Sequence, residues 1–404
     1  MLVLGRTAVA VASLLALAGT AAGWTMLDRF QDSVTSSEVL REIPDAPSAD
    51  DAATDILLVG NDSRTDAQGN PLPLSVLKEL RTESTNGLNT DTLILVRVPH
   101  NGSAPTAVSV PRDTLVQVPD SRPEKANAVY GLAKRTAADG LRADGITDSS
   151  RVERESALAG QRTLVRSVQQ LTGVRIDHYA EVNLLGFYEV TEAIGGVDVC
   201  LNQATSDKDS GADFAAGEQT IAGGDALSFV RQRHGLPRGD LDRIVRQQVF
   251  MAALANKVLS TGTLTDPAKL EGLMAAARKS VVLDQEWDIV GFAQQMQGLA
   301  SGGVHFVTLP VADVGARDDR GQSIVTVDPN EARRFVDGLA SGPPGQRPAG
   351  IAPAGAMRLD GTAHRQTPTE DSPTPPEPGT AATDTPVVPD PPPRISSTGI
   401  PCVN

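Results

Sequence analysis

Short apolar runs alternate with longer helical patterns through the middle of the chain. Three runs have the length and composition of buried strands, at 55–60, 92–98 and 106–110. Asn101-Gly102 lies between the second and the third run and is typical of a β-hairpin connection. A further strand is predicted near 304–309. The pattern therefore indicates a sheet whose strands are spread along the sequence.

Helical periodicity fills most of the intervals between these runs. Segment 178–200 has the pattern of a strand, a helix and a strand, with a turn at Gly195-Gly196. Gly173 follows a helix predicted at 151–172 and suits the position just after its end. Further helices are predicted at 223–234, 240–260, 267–278, 286–299 and 329–339. This mixed order predicts an α/β protein, a three-layer α-β-α sandwich with a central mixed sheet.

The first residues indicate a membrane segment. Residues 7–27 carry no charged side chain, and a helix of this length would be about 32 Å long, enough to span a bilayer core of about 30 Å. One interpretation is an uncleaved transmembrane signal anchor with a short cytoplasmic N-terminus at 1–6; the other is a cleaved signal peptide. Both interpretations place the bulk of the chain outside the plasma membrane.

Two segments of low folding potential flank the central part. Residues 28–53 are predicted to be a juxtamembrane spacer, because Pro44 and Pro47 interrupt helix formation. Residues 341–404 contain 15 of the 28 prolines and no aromatic residue, which predicts a disordered tail. The remaining residues, 54–340, are predicted to form one catalytic domain.

Composition narrows the classes of function. The formal net charge of −14 and an aromatic content of 3% argue against a nucleic-acid binder. Five His and two Cys leave little for a His-rich metal centre or a zinc ribbon. In an exported chain Cys200 and Cys402 can form a disulfide that pins the tip of the tail to the domain. The alternative is one buried thiol and one free thiol near the end.

Arginines are concentrated in one part of this acidic chain. Five of them lie within sixteen residues, at 231, 233, 238, 243 and 246. A guanidinium is a permanent cation whose planar fork suits bidentate binding of phosphate. On a helix that begins near Asp240, positions 240, 243 and 247 share one face and present a carboxylate, a guanidinium and an amide. The alternative is a solvated surface helix with salt bridges.

A second group of charged residues lies next to the predicted strands. Asp62 and Arg64 follow the first strand, Asp91 lies just before the second, and Arg112 and Asp113 follow the third. Two carboxylates on separate loops can hold Mg²⁺ together with phosphate oxygens of a substrate, which the arginines would also bind. The three loops together predict metal-assisted phosphoryl transfer.

The sequence resembles the LytR-CpsA-Psr family of cell-envelope phosphotransferases over roughly residues 54–310. The matching motifs, in chain order, are Gly-x-Asp-Ser-Arg, Asn-Thr-Asp-Thr, Ser-Val-Pro-Arg-Asp-Thr, Lys-x-Asn-x-x-Tyr, Glu-Val-Asn-Leu-Leu-Gly-Phe, Gly-Gly-Val and Arg-x-Arg with Asp-x-x-Arg-x-x-Arg-Gln-Gln. Arg-Gln-Arg-His-Gly-Leu-Pro and the final Pro-Cys-Val-Asn are similar to the actinobacterial branch. The order and the spacing of the motifs make the resemblance specific.

The resemblance implies an activity and a set of site residues. Members transfer a glycopolymer phosphate from a polyprenyl-pyrophosphate carrier to a peptidoglycan hydroxyl, outside the membrane and with Mg²⁺. For the actinobacterial branch the polymer would be arabinogalactan or its galactan precursor. By resemblance, Mg²⁺ would be bound by Asp62 and Asp91. Catalytic roles would fall to Arg112, Asp113, Arg231, Arg233, Asp240 and Arg243, and substrate binding to Arg64, Lys125, Asn127 and Gln247.

Other functions stay open at this stage. A non-catalytic envelope module could bind polyprenyl-phosphate glycans with the same arginines. A regulator of an intracellular partner would have only about six cytoplasmic residues to act with, on the anchor interpretation. A serine hydrolase is disfavoured because Gly-x-Ser-x-Gly does not occur, and His234 is expected to be a loop residue or a phosphate contact rather than a base.

Two structural questions also stay open. The stretch between Asp62 and Asp91, with a helix predicted at 75–80, is longer than in compact relatives and is a candidate lid or acceptor contact. The carrier's lipid needs an apolar groove, and the candidates for its lining are Leu184, Phe187, Phe229 and Val249. Packing in the core is the expected role of each of these four residues.

Overall fold

The computed structural model describes most of the central part of the chain. The described residues are 34–41, 43–49, 51–82, 88–237, 240–264, 266–285, 287–288, 291–292, 304–340, 395–396 and 401–404. The membrane segment predicted at 7–27 lies outside them, as does most of the helix predicted at 286–299. Within the part that the structure describes, no helix is both long enough and apolar enough to cross a membrane.

An eight-stranded mixed sheet forms the centre of the fold. Its strands, in spatial order, are β1 (Thr35–Ser37), β12 (Val281–Asp284), β7 (His178–Asn183), β2 (Ala53–Asn61), β3 (Thr90–Pro99), β4 (Thr106–Ser109), β13 (His305–Thr308) and β14 (Ile395–Ser396). β2 pairs antiparallel with β3 and parallel with β7, and β4 is antiparallel to β3 and parallel to β13. The central mixed sheet predicted from the sequence is confirmed.

Six short strands lie outside this sheet. They are β5 (Leu115–Val116), β6 (Glu124–Lys125), β8 (Val197–Leu201), β9 (Thr205–Asp207), β10 (Ala212–Phe214) and β11 (Gly217–Ile221). They pair antiparallel as β5 with β6, β8 with β11 and β9 with β10. The β5–β6 pair directly precedes a long helix.

Nine helices surround the sheet in the described residues. They are α1 (Leu74–Glu79), α2 (Ala126–Ala143), α3 (Ser149–Thr172), α4 (Leu184–Ala193), α5 (Gly223–Arg231), α6 (Asp240–Leu259), α7 (Thr261–Leu264), α8 (Pro267–Ser280) and α9 (Pro329–Leu339). α3 begins at Asp148, whose carboxylate accepts from two backbone N–H groups, and ends at Gly173 with φ of 79°. The helix predicted at 329–339 has the predicted bounds.

Alternation along the strands divides the interior into two cores. In β2, Ile56 faces one core and the next residue, Leu57, faces the other, as strand geometry requires. The first core includes Phe229 of α5 and Phe250 of α6, and the second includes residues of α2, α3 and α9. Helices therefore cover both faces of the sheet, and the α-β-α layering is confirmed.

The strand directions bring several chain ends to one edge of the sheet. β2, β4 and β7 run in the same direction, so their C-terminal residues Asn61, Ser109 and Asn183 lie near the N-terminal residue Thr90 of β3. We call this end of the sheet the site edge. Two segments that carry predicted site residues, 61–64 and 90–91, meet there directly, since Asn61 pairs with Thr90.

One predicted helix ends earlier than expected, and one helix of the structure was not predicted. The helix predicted at 223–234 ends at Arg231, because Gln232 leaves helical geometry with ψ of 133°. The long helix α2 was not predicted. Its first turn has no side-chain cap and no acidic residue, so the usual start signals are missing from its sequence.

The end of the predicted tail is structured where it is described. β14 pairs with β13, and Cys402 forms a disulfide with Cys200 of β8. Val403 N–H donates to the Cys200 carbonyl at 2.9 Å. Of the two alternatives for the cysteines, pairing is correct. The prediction of disorder does not hold for these residues, and 341–394 lie outside the described part.

Candidate active site

Asp62 and Asp91 form an acidic pair at the site edge. Asp62 follows β2, and its Oδ1 accepts from the Asn89 N–H at 2.7 Å. The Asp62 N–H donates to the Asn89 carbonyl at 3.0 Å, which fixes the loop against the start of β3. Burial raises the pKa of Asp62, and the nearby Asp91 carboxylate raises it further. The fold thus brings together the two carboxylates that were predicted from the sequence to bind a metal ion.

Two arginines lie beside this pair. The charges of Arg64 and Arg231 oppose the rise in the pKa of Asp62. Burial lowers the pKa of Arg231, while Asp62 and Asp91 counteract that effect. The Arg231 guanidinium donates to the carbonyl of Leu80 at 3.0 Å. Fixed cations therefore face the acidic pair from two elements.

The segment between Asp62 and Asp91 holds these arginines in place. Arg64 donates to the Thr82 carbonyl at 3.0 Å and to the Thr82 hydroxyl at 2.8 Å. Leu80, whose carbonyl accepts from Arg231, is fully buried. The candidate lid or acceptor contact is thus tied to the site by the residues that follow α1, which supply acceptors for both guanidinium groups.

Alternating charges continue the site along the next loop. Arg112 Nη1 lies 2.8 Å from Asp91 Oδ1, and Arg112 Nε lies 3.5 Å from Asp113 Oδ2. Lys125 Nζ lies 3.0 Å from the other oxygen of Asp113. The sequence Asp91, Arg112, Asp113, Lys125 therefore forms a row in which each charge touches one of opposite sign. Mutual neutralisation allows four charged groups to share a half-buried edge.

Helix α6 closes one side of the site. Arg243 and Gln247 line a small cavity of about 20 Å³ together with Asp91 and Arg112. Arg243 is 2% exposed, and Gln247 donates to the Val230 carbonyl at 3.1 Å. Positions 243 and 247 were predicted to share one face of this helix, and both line the same cavity beside Asp91 and Arg112. This geometry excludes a solvated surface helix at these two positions.

Other predicted residues lie at the margin of this group. Asn127 lies in the first turn of α2 and is buried, and its N–H donates to the Arg112 carbonyl at 3.0 Å. Arg233 is exposed, and its N–H donates to the Asp207 carboxylate. His234 is exposed in the loop after α5, and its Nδ1 lies 3.2 Å from Asp209 Oδ2. The side chain of Asp240 lies outside the described part of the chain.

A buried polar network beneath the site was not predicted. The Glu181 carboxylate accepts from the Asn61 amide at 2.9 Å, the Tyr179 hydroxyl at 2.8 Å and the Gln161 amide at 2.9 Å. Asn61 Oδ1 in turn accepts from the N–H of Ser63 at 2.9 Å. This network sets the turn that carries Asp62. In the sequence, Glu181 and Asn183 stood out through the motif Glu-Val-Asn-Leu-Leu-Gly-Phe, which did not reveal the contacts of Glu181.

A second support residue, Gln248, also escaped prediction. Its amide donates to the Thr308 hydroxyl at 2.8 Å and to the Ser109 hydroxyl at 3.3 Å, at the ends of β13 and β4. It is 1% exposed. Gln248 therefore ties α6, which carries Arg243, to the site edge.

Two of the four candidates for the lining of a lipid groove are buried in the first core. Phe229 and Val249 are buried, and the Phe187 ring stacks on Phe250 with centroids 5.2 Å apart. Core packing, the expected role, is confirmed for Phe229 and Val249.

The fold and the motifs together define the class of the protein. Residues 19–339 match the model of the LytR_cpsA_psr family. The chain belongs to this family, as the resemblance of its motifs indicated.

Two curated relatives come from Corynebacterium glutamicum. The cell wall biosynthesis protein LcpA is 49% identical over 334 residues, which are 82% of this chain and 64% of the relative. The probable cell wall biosynthesis protein LcpB is 33% identical over 279 residues, 68% of this chain and 58% of the relative. The matches thus span less than two thirds of the length of either relative.

Solved structures show the same fold. The LytR-Csp2A-Psr enzyme from Actinomyces oris has a TM-score of 0.53 and 17% identity, covering 76% of this chain and 96% of that chain. A structure described as TagT bound to LI-WTA has a TM-score of 0.51 and 17% identity, covering 76% and 98%. At these identities the likeness concerns the fold.

Proposed function

We propose that the protein is a cell-wall phosphotransferase that moves a glycopolymer phosphate from a polyprenyl-pyrophosphate carrier to a peptidoglycan hydroxyl. Arabinogalactan or galactan is the proposed polymer. The reaction uses Mg²⁺ outside the plasma membrane, to which the predicted segment 7–27 anchors the protein. The observation that carries this proposal is the acidic pair Asp62 and Asp91 beside Arg64, Arg112 and Arg231 at one edge of the sheet.

The donor set fits a Mg²⁺ ion. Asp62 and Asp91 each accept one described hydrogen bond through Oδ1. Among the described residues neither Oδ2 has a hydrogen-bond partner, which leaves one oxygen of each carboxylate for a cation. Two carboxylate oxygens completed by phosphate oxygens and water match the preference of Mg²⁺. When bound, the ion would neutralise charge on the pyrophosphate and act as a Lewis acid.

The arginines are arranged to bind the pyrophosphate. Arg112 lies between the carboxylates of Asp91 and Asp113, with Nη1 2.8 Å from Asp91 Oδ1 and Nε 3.5 Å from Asp113 Oδ2, so its guanidinium is held beside the acidic pair. Arg231 and Arg64 are held by carbonyl groups at known positions, so they need little reorganisation when charge develops on the transferred phosphate. The site therefore supports electrostatic stabilisation of an anionic transition state.

The proposed reaction has a defined balance of bonds. An acceptor hydroxyl oxygen forms a bond to the phosphorus that carries the glycan, and the bond from that phosphorus to the bridging oxygen breaks. Polyprenyl monophosphate leaves, and a phosphodiester joins the glycan to the acceptor. The hydroxyl proton passes to a base in the site or to water. Asn127 Oδ1, buried without a described hydrogen-bond partner, is suited to accept a hydrogen bond from a bound hydroxyl.

The names of relatives support the same class of reaction. A protein of Bacillus cereus, 31% identical over 201 residues and matched over 57% of its length, is named polyisoprenyl-teichoic acid–peptidoglycan teichoic acid transferase TagU. LcpA is named a cell wall biosynthesis protein. Both names concern the building of the cell wall, and the TagU name adds the transfer of a polymer to peptidoglycan.

The test is incubation of the protein with a short polyprenyl-pyrophosphate glycan, with and without Mg²⁺. Release of polyprenyl phosphate that depends on Mg²⁺ is the expected result. Retention of the intact donor by the protein, with no release and no effect of chelation, would instead identify a non-catalytic binding module.

A further inference from the structure

The 401–404 segment docks onto the domain through more than its disulfide. Val403 forms a parallel β-bridge with Leu201 of β8, and its carbonyl accepts from the Asn202 N–H at 2.8 Å. The Val403 side chain is 6% exposed and belongs to the same core as Phe229. The Asn202 amide also donates to Asn404 Oδ1 at 3.1 Å. Residues 403 and 404 thus have a defined place on the fold.

Asn404 of this segment contacts a buried arginine. Arg246 of α6 is 1% exposed, and its Nε donates to the main-chain oxygen of Asn404. Its guanidinium also lies 5.1 Å from the centroid of the Phe229 ring. Burial lowers the pKa of Arg246 to about 10, because desolvation disfavours the charged form. A buried guanidinium of this kind needs acceptors around it, and Asn404 supplies one.

Arg246 also contacts the loop that contains Arg231 and Arg233. Its Nη1 donates to Gln232 Oε1 at 2.6 Å. Gln232 is fully buried and sits between Arg231 and Arg233 in the chain. Its amide donates to the His234 carbonyl at 2.9 Å and to the Thr205 hydroxyl. One side chain therefore sets the path of residues 231–236, which we call the arginine loop.

We propose that the 401–404 segment positions the arginine loop for phosphoryl transfer, acting through Arg246 and Gln232. The segment holds Arg246 in one place, Arg246 holds Gln232, and Gln232 holds the backbone that carries Arg231 and Arg233. The effect on turnover rests on the function proposed above. The effect on the order of the loop does not.

Two single variants and their combination test this chain of contacts. Deletion of residues 403–404 removes the acceptor for Arg246 and leaves the disulfide, whereas Gln232→Ala leaves the segment and breaks the link to the loop. Each should lower kcat for release of polyprenyl phosphate about tenfold and change KM for the donor less than threefold, because misplaced arginines lose contact with charge formed in the transition state. The double variant should be no slower than the slower single variant, since both interrupt one path.

Lys257→Ala is the matched control. Lys257 also lies on α6 and makes an exposed ion pair with Asp198 of β8 at 3.3 Å, so it joins the same two elements without touching Arg246 or Gln232. Its kcat should stay within about twofold of the wild type.

Hydrogen exchange measured by mass spectrometry gives a reading that does not depend on activity. Deletion of 403–404 should speed exchange of amides in 231–236 while amides of β2 and β3 exchange as in the wild type. Unchanged exchange in 231–236, faster exchange throughout the domain, or independent and multiplying effects of the two single variants would each overturn the proposal. A wild type that releases no polyprenyl phosphate would count against the proposed function alone, because the exchange comparison would still decide the positioning role.

Discussion

Arg231 shows how the site balances opposite charges on single residues. Its side chain is partly buried, which lowers its pKa, and the acids Asp62 and Asp91 restore part of the stability of the charged form. The same interactions limit the rise in the pKa of Asp62. Each charged group is tolerated because the other is present, and an added phosphate would meet a cation that is already dehydrated.

Arg231→Ala should therefore abolish transfer without unfolding the protein. We expect turnover to fall at least about 100-fold, because an oriented donor to the transferred phosphate is lost. Steady-state release of polyprenyl phosphate measures this, and circular dichroism confirms the fold. Arg142→Ala is the control, since Arg142 is an exposed arginine paired with Asp139 on α2. Full activity of the Arg231 variant would contradict the proposed role.

Gly131 tests how closely α2 approaches the site edge. A Cβ at this position would lie 2.1 Å from the carbonyl oxygen of Leu88, beside the Asn89 that binds Asp62. Gly131→Ala should destabilise the protein by about 1–3 kcal/mol and lower turnover, because the helix or the strand start must shift. Gly140→Ala on the same helix meets nothing within 4 Å and should stabilise by about 0.5–1 kcal/mol.

Urea unfolding of both glycine variants provides the measurement. Equal effects at the two positions would show that close packing against Leu88 does not matter.

At the scale of single residues, the sequence predicted the charged residues of the site better than the buried polar residues that hold them in place. The charged residues at 62, 64, 91 and 112 were identifiable because they lie next to predicted strands, and Arg231 was identifiable because it belongs to a cluster of five arginines. Glu181 and Gln248 were not assigned a role, because a polar residue in the sequence does not reveal its partners, which here come from distant elements. Their roles depend on which strands become neighbours.

Among the elements, the β5–β6 pair deserves a direct test because it carries Lys125. Glu124 receives two hydrogen bonds from Arg320, both of 2.7 Å, and Arg320 also binds Asp318 at 2.8 Å. Hydrogen bonding by Arg320 lowers the pKa of Glu124 below its ordinary value of 4.5. The loop around Arg320 thus holds the strand that leads into α2.

This ion pair predicts a pH dependence of stability. The folded pKa of Glu124 is depressed, so its contribution to the free energy of unfolding is present above about pH 4.5 and is lost as the pH falls through the folded value. Arg320→Gln should be less stable than the wild type at pH 7, and the difference should shrink toward pH 3.

Urea titrations at several pH values measure this difference. Arg317→Gln, which removes an exposed donor to the Gly321 carbonyl in the same loop, is the control. A gap between Arg320→Gln and the wild type that stays constant down to pH 3 would argue against the assignment to Glu124.

Strands and helices with clear boundaries were predictable, and those without them were not. The apolar runs gave β2, β3 and β4 because continuous burial on both faces leaves an unmistakable pattern. α2 lacked capping signals, and the strand β1 has only three residues, too few to show a period. The position of Arg233 outside α5 depends on Gln232, whose buried contacts involve residues from 205 to 246.

For the whole molecule, the disulfide links two points 202 residues apart. The closed loop contains α6 and the strands β12 and β13, so the covalent bond restricts a large part of the unfolded chain. Composition predicted a tail without structure, and its end instead completes the fold. The pairing of two cysteines was the one sequence feature that pointed to this outcome.

Cys200→Ser with Cys402→Ser should lower the free energy of unfolding by about 2–5 kcal/mol, chiefly by releasing the unfolded chain. Thermal and urea unfolding measure the loss. Wild-type protein treated with a reductant should behave as the double variant does. A stability equal to that of the oxidised wild type would contradict a structural role for the disulfide.

The central claim is that the phosphorus next to the glycan moves to the acceptor. A donor labelled with ³²P at that phosphorus, incubated with the protein, Mg²⁺ and peptidoglycan, tests it directly. The account predicts that the label enters the peptidoglycan in a phosphodiester while unlabelled polyprenyl monophosphate is released. Label found in the polyprenyl product, or freed as inorganic phosphate with none in the peptidoglycan, would contradict it.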